Sequence, residues 1–100
     1  MKNRCRESAL VAEILCALRA LPGVIVRKRH GSAWGVAGDP DLYGSIQGRH
    51  FEIEVKRPGD RLTALQEARM KQWAATGALA GVARSVEDAL HIVGADGRAR

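Results

Sequence analysis

One hundred residues, 46% of them apolar and 27% charged, have the size and mixture of a single globular domain and exclude a wholly disordered chain. Sixteen Lys and Arg against 11 Asp and Glu give a net charge of +5, which points to a polyanionic partner, nucleic acid first. The longest apolar run, Ala9 to Leu21, is interrupted by Glu13 and Arg19 and excludes a bilayer span.

The N-terminus is basic and leads straight into an amphipathic stretch with no cleavage site, so no signal peptide is expected. The spacing predicts a helix over Glu7–Leu21, where Leu10, Ile14, Leu18 and Leu21 form one stripe and Pro22-Gly23 ends it. On such a helix Cys5 and Cys16 are roughly 16 Å apart, and a disulfide needs Cα atoms within about 7 Å. Reduced thiols and a cytoplasmic location are the expectation. Val24–Arg27 reads as a short strand and His30–Gly38 as a glycine-rich loop. Two strands follow, Asp41–Ile46 and Arg49–Lys56, joined by Gln47-Gly48. Pro58-Gly59 marks a turn, and a second long helix is expected over Leu62–Thr76, closed by Gly77. Leu79–Arg84 reads as a strand, and Ser85 caps a last short helix in a Ser-x-x-Asp pattern. Residues 1–93 form the domain, and Gly94–Arg100 is a polar tail. The order α-β-β-β-α-β-α predicts an α/β fold with a mixed central sheet flanked by helices, its last two strands parallel and right-handed in crossover.

The strand Phe51-Glu52-Ile53-Glu54-Val55-Lys56 alternates strictly, placing Glu52, Glu54 and Lys56 on one face, expected to be partly solvated. A two-residue turn at Gln47-Gly48 pairs Ile46 with Arg49 and, continuing, Glu54 with Asp41, unless a bulge at Gly44 shifts the register. Two carboxylates would then face each other with Cβ atoms about 5 Å apart, an arrangement that calls for a cation between them. Glu7 falls inside the apolar stripe of the first helix, about 60° from Leu10 on a helical wheel, and a carboxylate there needs a partner. On the second helix, Leu62, Leu65, Met70 and Trp73 form the stripe. Gln66 and Arg69 fall within it, and Thr63-Ala-Leu-Gln66 fits a capping box. His30, His50 and His91 are too scattered for a ligand cluster and read as surface or loop residues. Arg27, Lys28 and Arg29, with Trp34 in the loop that follows, suit contact with a nucleic-acid backbone and a base or sugar.

Gly38-Asp39-Pro40-Asp41 followed by Glu54-Val55-Lys56 resembles the PD-(D/E)XK nuclease signature. Together with Glu7, "FEIEVKRPGDRLTALQ" and "GVARSVEDAL", roughly residues 5 to 90 resemble the small stand-alone VRR-Nuc domains, many of them phage-encoded. The resemblance implies a restriction-endonuclease-like core and a catalytic magnesium or manganese ion held by Asp41, Glu54 and the backbone carbonyl of Val55. Glu7 would complete the acidic cluster, Lys56 would orient or help deprotonate the attacking water, and Gln66 would support the lysine side of the site. It also implies a homodimer that cuts branched DNA such as Holliday junctions, with no organic cofactor. Asp39 stands where the family commonly has a small apolar residue.

Phosphodiester hydrolysis needs a nucleophilic water, a Lewis acid and in-line geometry, and these residue types supply them. Lys56, about 7 Å along the strand from Glu54 and on its face, also favours ionised Asp41 and Glu54. Arg4, Arg6, Arg27, Lys28 and Arg29 are the expected phosphate-binding surface. The alternatives are a general duplex or flap nuclease of the same fold and a non-catalytic basic DNA-binding module.

Overall fold

A computed structural model describes residues 6–30 and 35–95 of the chain. The element order is α1 (Glu7–Arg19), β1 (Val24–Lys28), β2 (Leu42–Ile46), β3 (Arg49–Val55), α2 (Ala64–Ala75), β4 (Leu79–Ala83) and α3 (Val86–Ile92). This is the expected order, with element ends shifted by one or two residues. The four strands form one sheet in the order β1-β2-β3-β4. The first three are antiparallel, and β4 runs parallel to β3, as a crossover through α2 requires. No helix among the described residues is long and apolar enough to cross a membrane.

The β2–β3 hairpin carries the expected register, with Ile46 opposite Arg49, Gly44 opposite Phe51 and Leu42 opposite Ile53. Gln47 (φ 49°) and Gly48 (φ 86°) both lie in the left-handed region, the backbone of a tight turn whose twist matches its flanking strands. Gly44 hosts no bulge. It lets β1 come close, because an added Cβ would run into the Ile25 carbonyl oxygen and lie 2.9 Å from the Phe51 ring.

The sheet has two unlike faces. Val26, Leu42, Phe51, Ile53 and Val55 join Leu10, Val11, Ile14 and Leu18 of α1 and Ala89 of α3 in one apolar core. The opposite face bears Arg27, Tyr43, His50, Glu52 and Glu54, and α2 lies on that side. It was expected to be partly solvated, yet Glu52 is 0% and Glu54 2% exposed. The reason is that α2 and the segment before β2 cover it with polar and aromatic side chains. The expected apolar stripe of α2 is correspondingly absent from the core: none of its residues is buried. Its N-terminus carries the capping box as read, Thr63 Oγ1 accepting from the Gln66 amide at 3.0 Å and Gln66 Oε1 accepting from the Thr63 amide at 3.0 Å. Ser85 caps α3 in the same manner, its hydroxyl accepting from the Asp88 amide.

Two glycines give a contrast that tests this packing. Gly44→Ala should cost about 3 kcal/mol or more, the upper range for overpacking, because the obstruction is backbone. Gly48→Ala meets no atom within 4 Å, and its penalty should be the left-handed backbone alone, about 1–2 kcal/mol. Urea unfolding of the two variants measures the difference; equal costs would contradict the close β1–β2 approach.

Candidate functional site

Asp41 sits one residue before β2 begins, and three contacts place it. Its carbonyl accepts from the Arg29 amide at 2.7 Å. Its Oδ2 accepts from the Val55 amide at 2.8 Å. The carbonyl of Pro40, just before it, accepts from Arg29 Nη1 at 2.6 Å. The side chain is thereby turned across the end of β3 towards Glu54. Glu7, in the first turn of α1, comes to the same place: Glu7, Asp41 and Glu54 each offer a carboxylate oxygen, and the three lie within 4.8 Å of one another. These are the three acidic residues singled out in the sequence, brought together from three elements.

Two further expected residues flank them. Lys56 Nζ lies 3.9 Å from Glu54 Oε2. Gln66 Nε2 donates to the same Oε2 at 3.2 Å while its Oε1 serves the cap of α2. One side chain therefore serves the cap and also reaches Glu54. Asp39 is not part of the cluster; its Oδ1 accepts from Trp73 Nε1 at 3.3 Å.

The basic residues fare differently. Arg27 and Lys28 are exposed, but successive strand residues point to opposite faces, so these two do not share one. Arg29 itself turns inward to Glu52, Nη1 to Oε1 at 2.8 Å and Nη2 to Oε2 at 3.2 Å. Arg6 is exposed at the start of α1. Arg4, Cys5 and Trp34 lie outside the described residues, and Cys16 is an exposed free thiol. His50, read as a surface residue, is 41% exposed at its side chain yet makes directed contacts on the polar face. Its Nε2 lies 2.7 Å from Glu52 Oε2, and its ring is 5.1 Å from that of Trp73. The available signal was its place on the same strand face as Glu52 and Glu54.

Burial, then the charge of Asp41 and a hydrogen bond to it, raise the Glu54 pKa from 4.5 to about 8; Lys56 works in the opposite direction and does not prevail. Lys56 thus favours ionised Glu54, as expected, but is outweighed by burial and Asp41. Three converging hard oxygen donors, one of them held towards its protonated form by burial and then by the Asp41 charge, fit a divalent cation of the magnesium or manganese type. Val55 contributes its amide to Asp41; its carbonyl remains a ligand by resemblance.

This arrangement has a pH signature. The folded protein binds the Glu54 proton more tightly than the unfolded chain does, so this contribution to stability is complete below pH 4.5 and is lost as pH rises towards 8. Magnesium should displace that proton, and the rise in Tm on adding magnesium should therefore be larger at pH 8.5 than at pH 5, with proton release detectable by calorimetry in two buffers. A magnesium effect independent of pH would contradict it. Gln66→Ala removes a cap and a Glu54 partner together and should cost about 0.5–2 kcal/mol in urea unfolding.

No protein-family model and no curated protein sequence matches the chain. Solved structures do. One, described as a VRR_NUC domain, superposes with a TM-score of 0.72 at 25% identity, over 87% of this chain and 92% of that one. A second, described as a VRR_NUC domain protein, gives a TM-score of 0.69 at 19% identity, over 93% and 88% respectively. A more distant match, with a TM-score of 0.48 and 24% identity over 76% of this chain and 61% of that one, is Hjc of Archaeoglobus fulgidus, a Holliday junction resolvase. The mixed four-stranded sheet flanked by helices, superposed on the first of these domains over most of both chains, gives this chain the restriction-endonuclease-like fold of the VRR-Nuc domains.

Proposed function

We propose that the protein is a metal-dependent DNA endonuclease that hydrolyses phosphodiester bonds. The observation that carries this is the convergence of Glu7, Asp41 and Glu54 with Lys56 3.9 Å from Glu54. A basic chain that only bound DNA would have no use for three carboxylates where phosphates must lie. The likeness to VRR-Nuc domains supports the same reading.

Glu7, Asp41 and Glu54 would hold the cation, with the Val55 carbonyl completing the set. A divalent ion there supplies a Lewis acid for the phosphoryl oxygen and acidifies a bound water. The Lys56 ammonium, beside Glu54, orients the attacking water and faces the scissile phosphate. Gln66 holds Glu54 in place through Nε2. Arg6, Arg27 and Lys28, together with Arg4, contact backbone phosphates, and Trp34 a base or sugar. Contacts of that kind read shape and charge rather than sequence.

The substrate we infer is branched DNA, cut by a homodimer. Resolving a four-way junction requires two nicks on opposed strands, and a two-fold dimer supplies two sites related by a symmetry that such a junction shares. A second copy would also give a partner to the apolar residues beside α2, where Leu65 is 43% and Val36 56% exposed.

Asp41→Asn and Glu54→Gln should each abolish cleavage in magnesium while DNA binding stays equal or tightens, since each removes negative charge from a phosphate site. Cleavage near the wild-type rate in either variant overturns the assignment. With labelled junction, flap, linear duplex and single strand, the junction should be cut fastest, with paired symmetric nicks, and only when magnesium is present. Sedimentation should show a dimer at micromolar concentration. Duplex cut as fast as the junction would instead indicate a general duplex nuclease, and a monomer with and without junction would indicate a nickase.

A further inference from the structure

β3 carries one glutamate that the proposed chemistry does not use. Glu52 is fully buried, shares a face with Glu54 and is met by Arg29 through two hydrogen bonds and by His50 at 2.7 Å. The Arg29 guanidinium stacks on Tyr43, its Cζ 4.5 Å from the ring centroid, with Trp73 at 5.9 Å. From this fixed position Arg29 reaches the segment that carries Asp41. Nη1 donates to the Pro40 carbonyl at 2.6 Å, and the Arg29 amide donates to the Asp41 carbonyl at 2.7 Å.

We propose that Arg29, locked by Glu52, is a positioning residue for Asp41: it ties down the Pro40–Asp41 backbone so that the Asp41 carboxylate stays beside Glu7 and Glu54. The proposal rests on the metal-site reading above.

Three arguments support it. First, Asp41 precedes β2, so the regular ladder of that strand begins only at Leu42. Two of the three hydrogen bonds that hold the Pro40–Asp41 segment come from Arg29, and Pro40, lacking an N–H, can be hydrogen-bonded only through its carbonyl. Second, the segment needs holding. An aspartate at the end of a loop, set within 4.8 Å of two further carboxyl groups, needs a fixed backbone to stay there rather than swing to water before the cation arrives. Third, the contacts require arginine. Its planar fork grips both oxygens of Glu52 while a further N–H reaches Pro40, which the point charge of a lysine cannot reproduce. Contact with a DNA phosphate would instead require Arg29 to leave a fully buried carboxylate behind.

The test uses the full chain, metal-free, and the variants Arg29→Lys and Glu52→Gln. Glu52→Gln keeps the side-chain shape and carries the same test should Arg29→Lys fail to fold. Manganese binding is measured by calorimetry without DNA. The Val55 amide resonance reports on Asp41, whose carboxylate it donates to. We expect manganese affinity to fall about 10–100-fold, as when the partners that orient metal ligands are removed. The Val55 resonance should move in the metal-free state, and kcat should fall at subsaturating manganese and recover at saturation, with KM for DNA unchanged. A raised KM for DNA with unaltered manganese affinity and an unmoved Val55 resonance would make Arg29 a phosphate contact and overturn the proposal. A wild-type protein that binds no manganese would overturn the nuclease reading instead, and the Val55 resonance would still decide whether Arg29 tethers Asp41.

Discussion

Two carboxylates on one strand face, both shielded from water, are the constraint around which this molecule is arranged. An ionised carboxylate removed from water must be neutralised or richly hydrogen-bonded. The chain answers twice and differently. Glu52 is given a permanent countercharge, Arg29, together with His50. Glu54 is given a proton, because its neighbours are Asp41 and Glu7 and the Lys56 ammonium does not offset burial. The first answer makes a fixed structural pair. The second leaves a group whose charge depends on what else enters the site.

The covering helix follows from the same constraint. A helix laid over an apolar sheet face would bury leucines; α2 lies over a polar one and buries none of its residues. It contributes instead Gln66 to Glu54, Trp73 to Asp39 and to the His50 ring, and Arg69 to the Ala37 carbonyl. Stability is therefore concentrated on the other side of the sheet, where α1, α3 and the alternate residues of β3 make the core. The division lets one face be dry and rigid while the other is organised by directed polar contacts.

What was legible in the sequence was what is local. The β2–β3 register could be read because a two-residue turn fixes pairing without reference to the rest of the chain, and with it came the approach of Asp41 to Glu54. The stripe of α1 and the caps at Thr63 and Ser85 are local in the same sense. Strand alternation showed that Glu52 and Glu54 share a face with His50, but it carries no information about what covers that face. The basic run Arg27-Lys28-Arg29 reads as one patch because a sequence has no faces; strand alternation puts Lys28 on the opposite face from Arg27, and Arg29 meets a residue 23 positions away. The stripe on α2 misled for a related reason. Periodicity identifies which residues share a side of a helix, and here that side meets carboxylates and aromatics, so Gln66 and Arg69, the polar members of the stripe, make its directed contacts.

Gln66 shows how closely local and distant demands can be merged. Its backbone amide and Oε1 close the first turn of α2, and its Nε2 is left to reach Glu54. Capping fixes the side chain before the sheet makes any use of it, so little rotamer freedom remains to be lost when the contact to Glu54 forms. The same hydrogen bonds that start the covering helix thus orient one of the three carboxylates, and α2 could not shift along the sheet without carrying Gln66 away from Glu54. On the opposite flank the Arg29–Glu52 pair holds the backbone of Asp41, while α1 delivers Glu7 from the apolar side of the sheet. Each acidic residue is thereby tied to a different element. The geometry of the cluster is thus also maintained from outside it, by a cap, a buried ion pair and a packed helix.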